Sequence, residues 1–434
     1  MSARFVDVDR DTPMLLPQDL RAWVPADDLV HFLVDALPLL DLSAARINHR
    51  GTGSAQYPPG MMLGLLIYCY ANGIFSSRQI ERATYQNLSV RYLAANTHPD
   101  HDTVAVFRRD NGDLLQSVFV QLLQLAQQTG LAKWGVVALD GTKLTANAAR
   151  SKTRTTARLN AELAQLEAQV QELLVRAQTV DQNDLGGDQL PEELSQAQGR
   201  RARLRQAKAQ LEAQARERQQ ARIAQQQERP PGDRRPTPPA EPGPKDTINP
   251  TDPDSRLMRG SQGGSVQGYN AQVAVSVQGL GLIVATDVVS EATDRQQLQP
   301  MSQRVVRQVG PVAHLLVDTG YENIRQVVAV EAGHGLQVLC PPAQVANAKA
   351  KARTPGRWRR ERKVIRQQLR ERLQTPWGRK LYRLRRCTVE PAIGIIKRAM
   401  GFVRFGLRGL KKVKLEWQLV SLAFNCRRLA RAWA

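Results

Sequence analysis

A chain of 434 residues is too long for one ordinary core and, at roughly 100–200 residues per domain, predicts two or three units. Its formal net charge of +21 makes a polyanion the expected partner, because a field of that sign concentrates phosphates; nucleic acid leads and an anionic membrane surface comes second. No apolar run reaches the roughly 18 residues of a membrane span and no secretory start is present. The expectation is therefore a cytoplasmic protein. Cys69, Cys340, Cys387 and Cys426 form no C-x-x-C pair, which argues against zinc or a disulfide framework and for buried free thiols.

Residues 1–133 predict an all-α N-terminal domain, with apolar residues at spacings of three and four and punctuation by Pro and Gly. Residues 59–70 read as a helix, Ala-Asn-Gly73 as a turn, and Ser76-Ser-Arg-Gln79 as the capping-box start of a second helix. That is the spacing of a helix-turn-helix, and it would present Arg78, Gln79, Arg82 and Gln86 to phosphates or base edges. An ordinary helical hairpin with a solvated basic face has the same pattern.

At Trp134 the period changes. The near-continuous apolar run 134–140 predicts a strand buried on both faces, which residues 143–149 either continue or follow as a short neighbour. Between about residues 150 and 228 the helical period returns, as Leu159, Leu163, Leu166, Val170 and Leu173, then as Leu190, Leu194, Ala197, Leu204, Leu211 and Ala215. This is a heptad seam, broken at Asp-Leu-Gly-Gly-Asp, and it predicts an antiparallel coiled-coil hairpin inserted into the sheet domain. Arg201 and Lys208 at seam positions weaken its second half.

Residues 229–255 are Pro-rich and polar and predict a linker. Strands follow at 269–277 and 282–289, a helix at 294–309, a buried strand at 312–318, a helix at 322–332 and a strand at 336–339. With the hairpin set aside, residues 134–434 have the element order of an RNase H-like α/β domain. After about residue 355 the chain is dense in Lys and Arg, poor in acids, and interleaved with Trp358, Trp377, Tyr382, Phe402, Phe405 and Trp417. This is the strongest phosphate-binding signal in the sequence.

An aspartate that closes a buried apolar strand is costly unless it is paired, hydrogen-bonded or bound to a cation. Asp140 and Asp318 both stand there, each followed closely by Gly, and neighbouring parallel strands would bring them to one end of the sheet. Oxygen ligands suit Mg²⁺ or Mn²⁺, and a two-metal site about 4 Å across can activate a nucleophile and stabilise a leaving oxygen in phosphodiester displacement. Taken singly, each is as well explained as a turn aspartate at a strand end. Glu390 is a rare acid in the basic segment, read as a helix start with Pro391 in its first turn; Lys397, two turns on, shares its face. Asp287 also sits in an apolar strand and competes for a place, but its run does not turn at Gly. His98, His101, His314 and His334 share no metal-ligand spacing.

These residues resemble the DDE transposases of bacterial insertion sequences, whose third-carboxylate region reads Tyr, Arg, Glu, Lys. Here Arg386, Glu390 and Lys397 fit the spacing, and Tyr382 stands one residue further from Arg386 than in the best-known version. Leu139-Asp-Gly-Thr-Lys143 and Val317-Asp-Thr-Gly-Tyr321 look like the first two carboxylate regions. Pro99-Asp-His-Asp-Thr103, Asn249-Pro-Thr-Asp-Pro-Asp-Ser-Arg256, Gly268-Tyr-Asn-Ala-Gln272 and residues 404–409 also look like segments of this group.

The resemblance implies metal-dependent cleavage at transposon ends and attack of the freed 3′-hydroxyl on target DNA. It makes Asp140, Asp318 and Glu390 the ligands of two divalent cations, Mg²⁺ or Mn²⁺, and sets Tyr382, Arg386 and Lys397 against the DNA. The expected partner is double-stranded DNA at the nucleoid, bound by a homodimer, with no membrane and no small-molecule substrate. The alternatives are an RNase H-like nuclease without strand transfer and a non-catalytic DNA-binding regulator.

Overall fold

The computed structural model describes residues 19–48, 55–183, 190–227, 236–260, 263–343 and 357–433. Contacts divide the chain into two units, residues 1–118 with 429–434, and residues 119–428, where the sequence pattern places the boundary near residue 133.

The first unit is helical. Asp28 caps α1 (Leu29–Ala36). α2 (Pro59–Ala71) opens on a proline, which needs no N–H in a first turn, and is apolar all round; nearly all of it is buried, so it is the helix the others cover. After the turn at Gly73, whose φ is +81°, α3 (Ser77–Gln86) begins with the expected capping box between Ser76 and Gln79. It buries Ile80, Ala83 and Thr84 and leaves Arg78, Gln79, Arg82 and Gln86 exposed. α4 (Leu88–Leu93) and α5 (His101–Asp110) follow, the latter capped by Asp100 through the Thr103 N–H at 2.6 Å. The motif Pro99 to Thr103 is thus a helix cap. α6 (Gly112–Gln128) carries the chain into the second unit.

The second unit is a mixed α/β structure. Two long strands, β1 (Ala132–Thr145) and a later β5 (Ser265–Gly279), run antiparallel at its centre, and the chain leaves the sheet between them. β2 (Arg154–Thr155) leads into α7 (Thr156–Asn183), α8 (Leu190–Gln227) returns, and β3 (Thr247–Ile248) pairs with β2. Leu159, Leu163 and Leu166 pack with Leu204, Ala207 and Leu211, while Val170 and Leu173 pack with Ala197. Late positions of α7 therefore meet early positions of α8, which is antiparallel pairing. Of the expected seam, Leu159, Leu163, Leu166, Val170, Leu173, Ala197, Leu204, Leu211 and Ala215 are buried and Leu194 is partly buried; Ala207 fills it fully where Lys208 was expected, and Arg201 and Lys208 are only half-buried. The Gly-Gly break lies outside the described residues.

Part of the expected linker is built in. Residues 228–235 lie outside the described residues, but Ile248, Asn249, Asp252 and Ser255 are buried. Proline content hid a segment whose polar side chains bond within the protein: Asp252 accepts through Oδ1 from the Tyr269 hydroxyl at 2.7 Å and from Gly409 N–H at 3.1 Å. Asp254 accepts from Leu410 N–H at 2.9 Å, and Gln267 donates to Ser255 at 2.7 Å. The segments 249–256, 268–272 and 404–409 are in this way one hydrogen-bonded knot.

β4 (Arg256–Arg259), β5 (Ser265–Gly279) and β6 (Ile283–Val289) are antiparallel, with β4 and β6 both paired to β5. α9 (Leu298–Val309) leads to β7 (His314–Leu316), and α10 (Ile324–His334) to β8 (Gln337–Leu339), both strands parallel to β1. The sheet order is β4-β5-β1-β7-β8, with β6 beside β5. α11 (Arg357–Gln374), α12 (Pro376–Gly394) and α13 (Leu410–Trp433) complete the chain. Phe402, Phe405 and Trp417 are almost fully buried and in ring contact, so three of the aromatics expected to interleave a phosphate-binding surface are core. Cys69, Cys340 and Cys426 are buried as expected; Cys387 is exposed. No described helix is long and apolar enough to cross a membrane.

Candidate active site

The parallel register of β1 and β7 pairs Val136 with His314, Val137 with Leu315 and Ala138 with Leu316. Extending that offset two residues sets Asp140 beside Asp318. The two differ in one respect from the sequence expectation: Asp318 follows the end of its strand, but Asp140 lies within β1, which runs on to Thr145 because β5 keeps pairing with it. Asp318 caps a short turn (Thr319–Tyr321), accepting from Gly320 N–H at 2.9 Å. Gly141 is not a turn residue. A Cβ there would collide with the Asp294 carboxylate and the Gln272 amide, so its bareness makes room.

Asp294 is the residue the sequence reading missed. Asn270 and Gln272 donate to its Oδ1 at 2.8 and 2.6 Å, and Gln272 in turn accepts from the buried Tyr321 hydroxyl. A Cβ on Gly320 would lie 3.0 Å from Asp318 Oδ1 and 3.6 Å from Asp294 Oδ2, so these two carboxylates are neighbours. The signal was two amides, two residues apart on an apolar strand, which need a polar partner when buried.

The electrostatics follow from this crowding. Burial pushes the Asp140 carboxyl up to about 6; Arg385 works against the shift, while the charges of Asp318 and Asp294 add to it.

α12 brings the remaining groups. Thr375 caps it and Pro376 opens it, so Glu390 lies late in the helix with Pro391 inside, not at a helix start as the sequence reading held. The same Pro signal occurs twice, and the one preceded by a capping Thr fixes the start. A π-helical turn (Ile395–Ala399) follows, where Pro391 and Gly394 have already weakened the α-helical ladder. Arg385, whose side chain is 8% exposed, faces inward: its Nη2 lies 2.8 Å from Asp140 Oδ2 and its Nη1 3.7 Å from Glu390 Oε1. One guanidinium thus spans the first and third carboxylates. Glu390 itself is 55% exposed. Arg386 is exposed, one residue and about 100° around the helix from Arg385.

The Tyr382 hydroxyl is half-buried and pushed up to about 12 by burial, with Asp318 among the charges acting on it. Lys397 Nζ reaches the Lys143 carbonyl at 3.4 Å, and burial, with Lys143, lowers its pKa. Tyr382, Arg385, Glu390 and Lys397 therefore line the region where β1 passes the end of β7. Arg78 and Arg82 belong to the first unit and are exposed on α3. Asp287 is held by Arg304 at 3.0 Å and Lys414 at 2.8 Å.

The donor set suits a hard divalent cation: carboxylates side by side, one of them pushed toward protonation by burial and by its neighbours' charges, a strain that a cation would relieve. Among the described residues, no three His, Cys, Asp or Glu side chains stand together as a ready cage. Arg385 stands between Asp140 and the third carboxylate.

A sheet that collects acids at one end, beneath a very basic C-terminal segment, defines an enzyme acting on nucleic acid as the class to test. Comparison with protein families agrees. The model described as Transposase DDE domain matches residues 339–430, which include Tyr382, Arg385, Glu390 and Lys397, and the model described as Transposase domain (DUF772) matches residues 18–110. Over these two segments the chain is similar to transposase domains. No curated protein and no solved structure matches the chain.

Proposed function

We propose that this protein is a DNA transposase that cuts transposon ends and joins them to target DNA, with Asp140, Asp318 and Glu390 as the ligands of two divalent cations, Mg²⁺ or Mn²⁺. The observation that carries the reading is the β1–β7 register, which sets Asp140 beside Asp318, together with the single guanidinium that links Asp140 to Glu390. The second unit is RNase H-like on this reading. Support comes from the sheet, in which β1, β5 and β6 are successively antiparallel and β7 and β8 run parallel to β1, with β4 an added strand beside β5 and helices between the later strands.

When bound, the cations would supply an activated water or 3′-hydroxyl and neutralise the leaving oxygen. The chain's own residues hold and orient. Asn270, Gln272 and Tyr321 fix Asp294 behind the pair, and Tyr382, Arg386 and Lys397 meet the DNA strand near the cut. Arg suits a phosphate as a fork and Lys as a point charge. Arg78 and Arg82 on the exposed face of α3 bind duplex DNA as part of a helix-turn-helix. The α7–α8 pair is a coiled-coil hairpin serving a homodimer on DNA, and the protein works at the nucleoid.

The test uses a DNA fragment carrying the sequences that flank the gene on both sides, with a target plasmid and Mg²⁺. Joined products are expected. Cleavage without joining would favour a nuclease, and binding without either would favour a regulator.

A further inference from the structure

We propose that Arg385 is a built-in competitor for the divalent cation, holding Asp140 and Glu390 apart from it until the guanidinium leaves for another anion. The inference rests on the reading of Asp140, Asp318 and Glu390 as cation ligands.

Arg385 is buried, yet its close contacts are not those of a residue that supports the fold. Among the described residues its ion pairs are with Asp140 and Glu390 alone, and its buried Nε has no hydrogen-bond partner. A structural arginine at this depth ordinarily uses its full fork, because each unmade hydrogen bond costs free energy. Here one arm is close to Asp140 at 2.8 Å and the other is loose, 3.7 Å from a carboxylate that is 55% exposed. Arg385 thus holds Asp140 closely and Glu390 loosely.

A guanidinium 2.8 Å from Asp140 Oδ2 would set its positive charge close to any divalent cation held by the same carboxylate, and the two charges repel. Cation binding therefore favours movement of Arg385, and the moved charge then needs an anion. A backbone phosphate of bound DNA is the anion at hand. This would couple full occupancy of the site to the presence of DNA.

The test is a calorimetric titration of the full chain with Mn²⁺ in the absence of DNA, comparing wild type, Arg385→Gln and Arg385→Lys. Losing a charge-assisted competitor should tighten Mn²⁺ binding by about ten- to hundredfold in Arg385→Gln. Arg385→Lys, which keeps a charge but cannot span two carboxylates, should gain less, about severalfold; it also serves if the Gln variant does not fold. A merely structural arginine would leave affinity unchanged or weaken it on removal, and that result overturns the proposal. Asp140→Asn separates the two ideas. If it leaves Mn²⁺ binding untouched, or if no variant binds Mn²⁺, the cation-ligand reading itself fails and this proposal with it.

Discussion

Asp140, partly buried, and Asp252, fully buried, are acids of the second unit, and burial raises the pKa of both, but their surroundings are of opposite kinds. Around Asp252 the donors are neutral and fixed: the Tyr269 hydroxyl and the Gly409 N–H, with Asp254 alongside capping the next residue, Leu410. Around Asp140 stand two further carboxylates and one arginine, a cation on a long side chain that can move. The first arrangement welds three distant segments into one body. The second gathers negative charge that only a cation relieves. Asp287 falls with the first kind, since Arg304 and Lys414 both hold it.

The contrast is sharpened first by pH. Asp140 has its carboxyl raised to about 6 in the folded protein, so the folded state binds that proton more tightly than the unfolded chain does. Its contribution to stability is present below the ordinary carboxylate range and is lost as pH rises through about 6. In EDTA, wild type should therefore lose on the order of 2–3 kcal/mol relative to Asp140→Asn between pH 4 and pH 7.5, read by urea unfolding. Parallel stability curves for the two proteins would show that Asp140 is not crowded.

Substitutions in the welded region come next. Tyr269→Phe removes one of the two donors to Asp252 Oδ1 and should cost about 1–2 kcal/mol while leaving Mn²⁺ affinity unchanged. Asp287→Asn should cost a similar 1–2 kcal/mol, below the value for a fully buried pair because Arg304 and Lys414 are 39% and 38% exposed. A fall in Mn²⁺ affinity with either variant would join the two regions that the account separates.

A smaller effect is expected at the DNA-facing cations. Arg386→Gln and Lys397→Gln should each lower the slope of log affinity against log salt by about one, with the loss shared across DNA sequences. The smallest concerns α7 and α8. Because Thr155 pairs with Thr247, the hairpin can be replaced by a short turn joining β2 to β3 without stretching the chain. The shortened protein should keep its fold by circular dichroism and lose dimerisation by analytical ultracentrifugation; an unchanged mass would make the hairpin a tolerated insertion.

The sequence was most legible where one physical demand acts alone. Apolar runs ending in acid pointed to Asp140 and Asp318, the capping box at Ser76 to α3, and the heptad leucines to the α7–α8 pair. It was least legible where a decision turned on direction. Arg385 and Arg386 are adjacent in a basic helix, and a motif spacing does not say which of them turns inward. Asp294 follows Ser-Glu-Ala-Thr and reads as the first residue of a helix until Asn270 and Gln272 are seen to converge on it. Residues 247–255 read as linker because composition counts prolines, whereas Asn249, Asp252 and Ser255 are buried and hydrogen-bonded to other segments of the chain.

The most direct measurement of the central claim is the rate of Mn²⁺-dependent cleavage of DNA carrying the gene's flanking sequences, alongside affinity for the same DNA, in Asp140→Asn, Asp318→Asn, Glu390→Gln and the matched control Asp287→Asn. The account predicts that the first three each lose about a thousandfold in rate or more while still binding, because each removes a ligand worth several kcal/mol in the transition state. The control should cut at close to the wild-type rate per folded molecule. Wild-type cleavage by any one of the three carboxylate variants, or a dead Asp287→Asn that still folds, would contradict it.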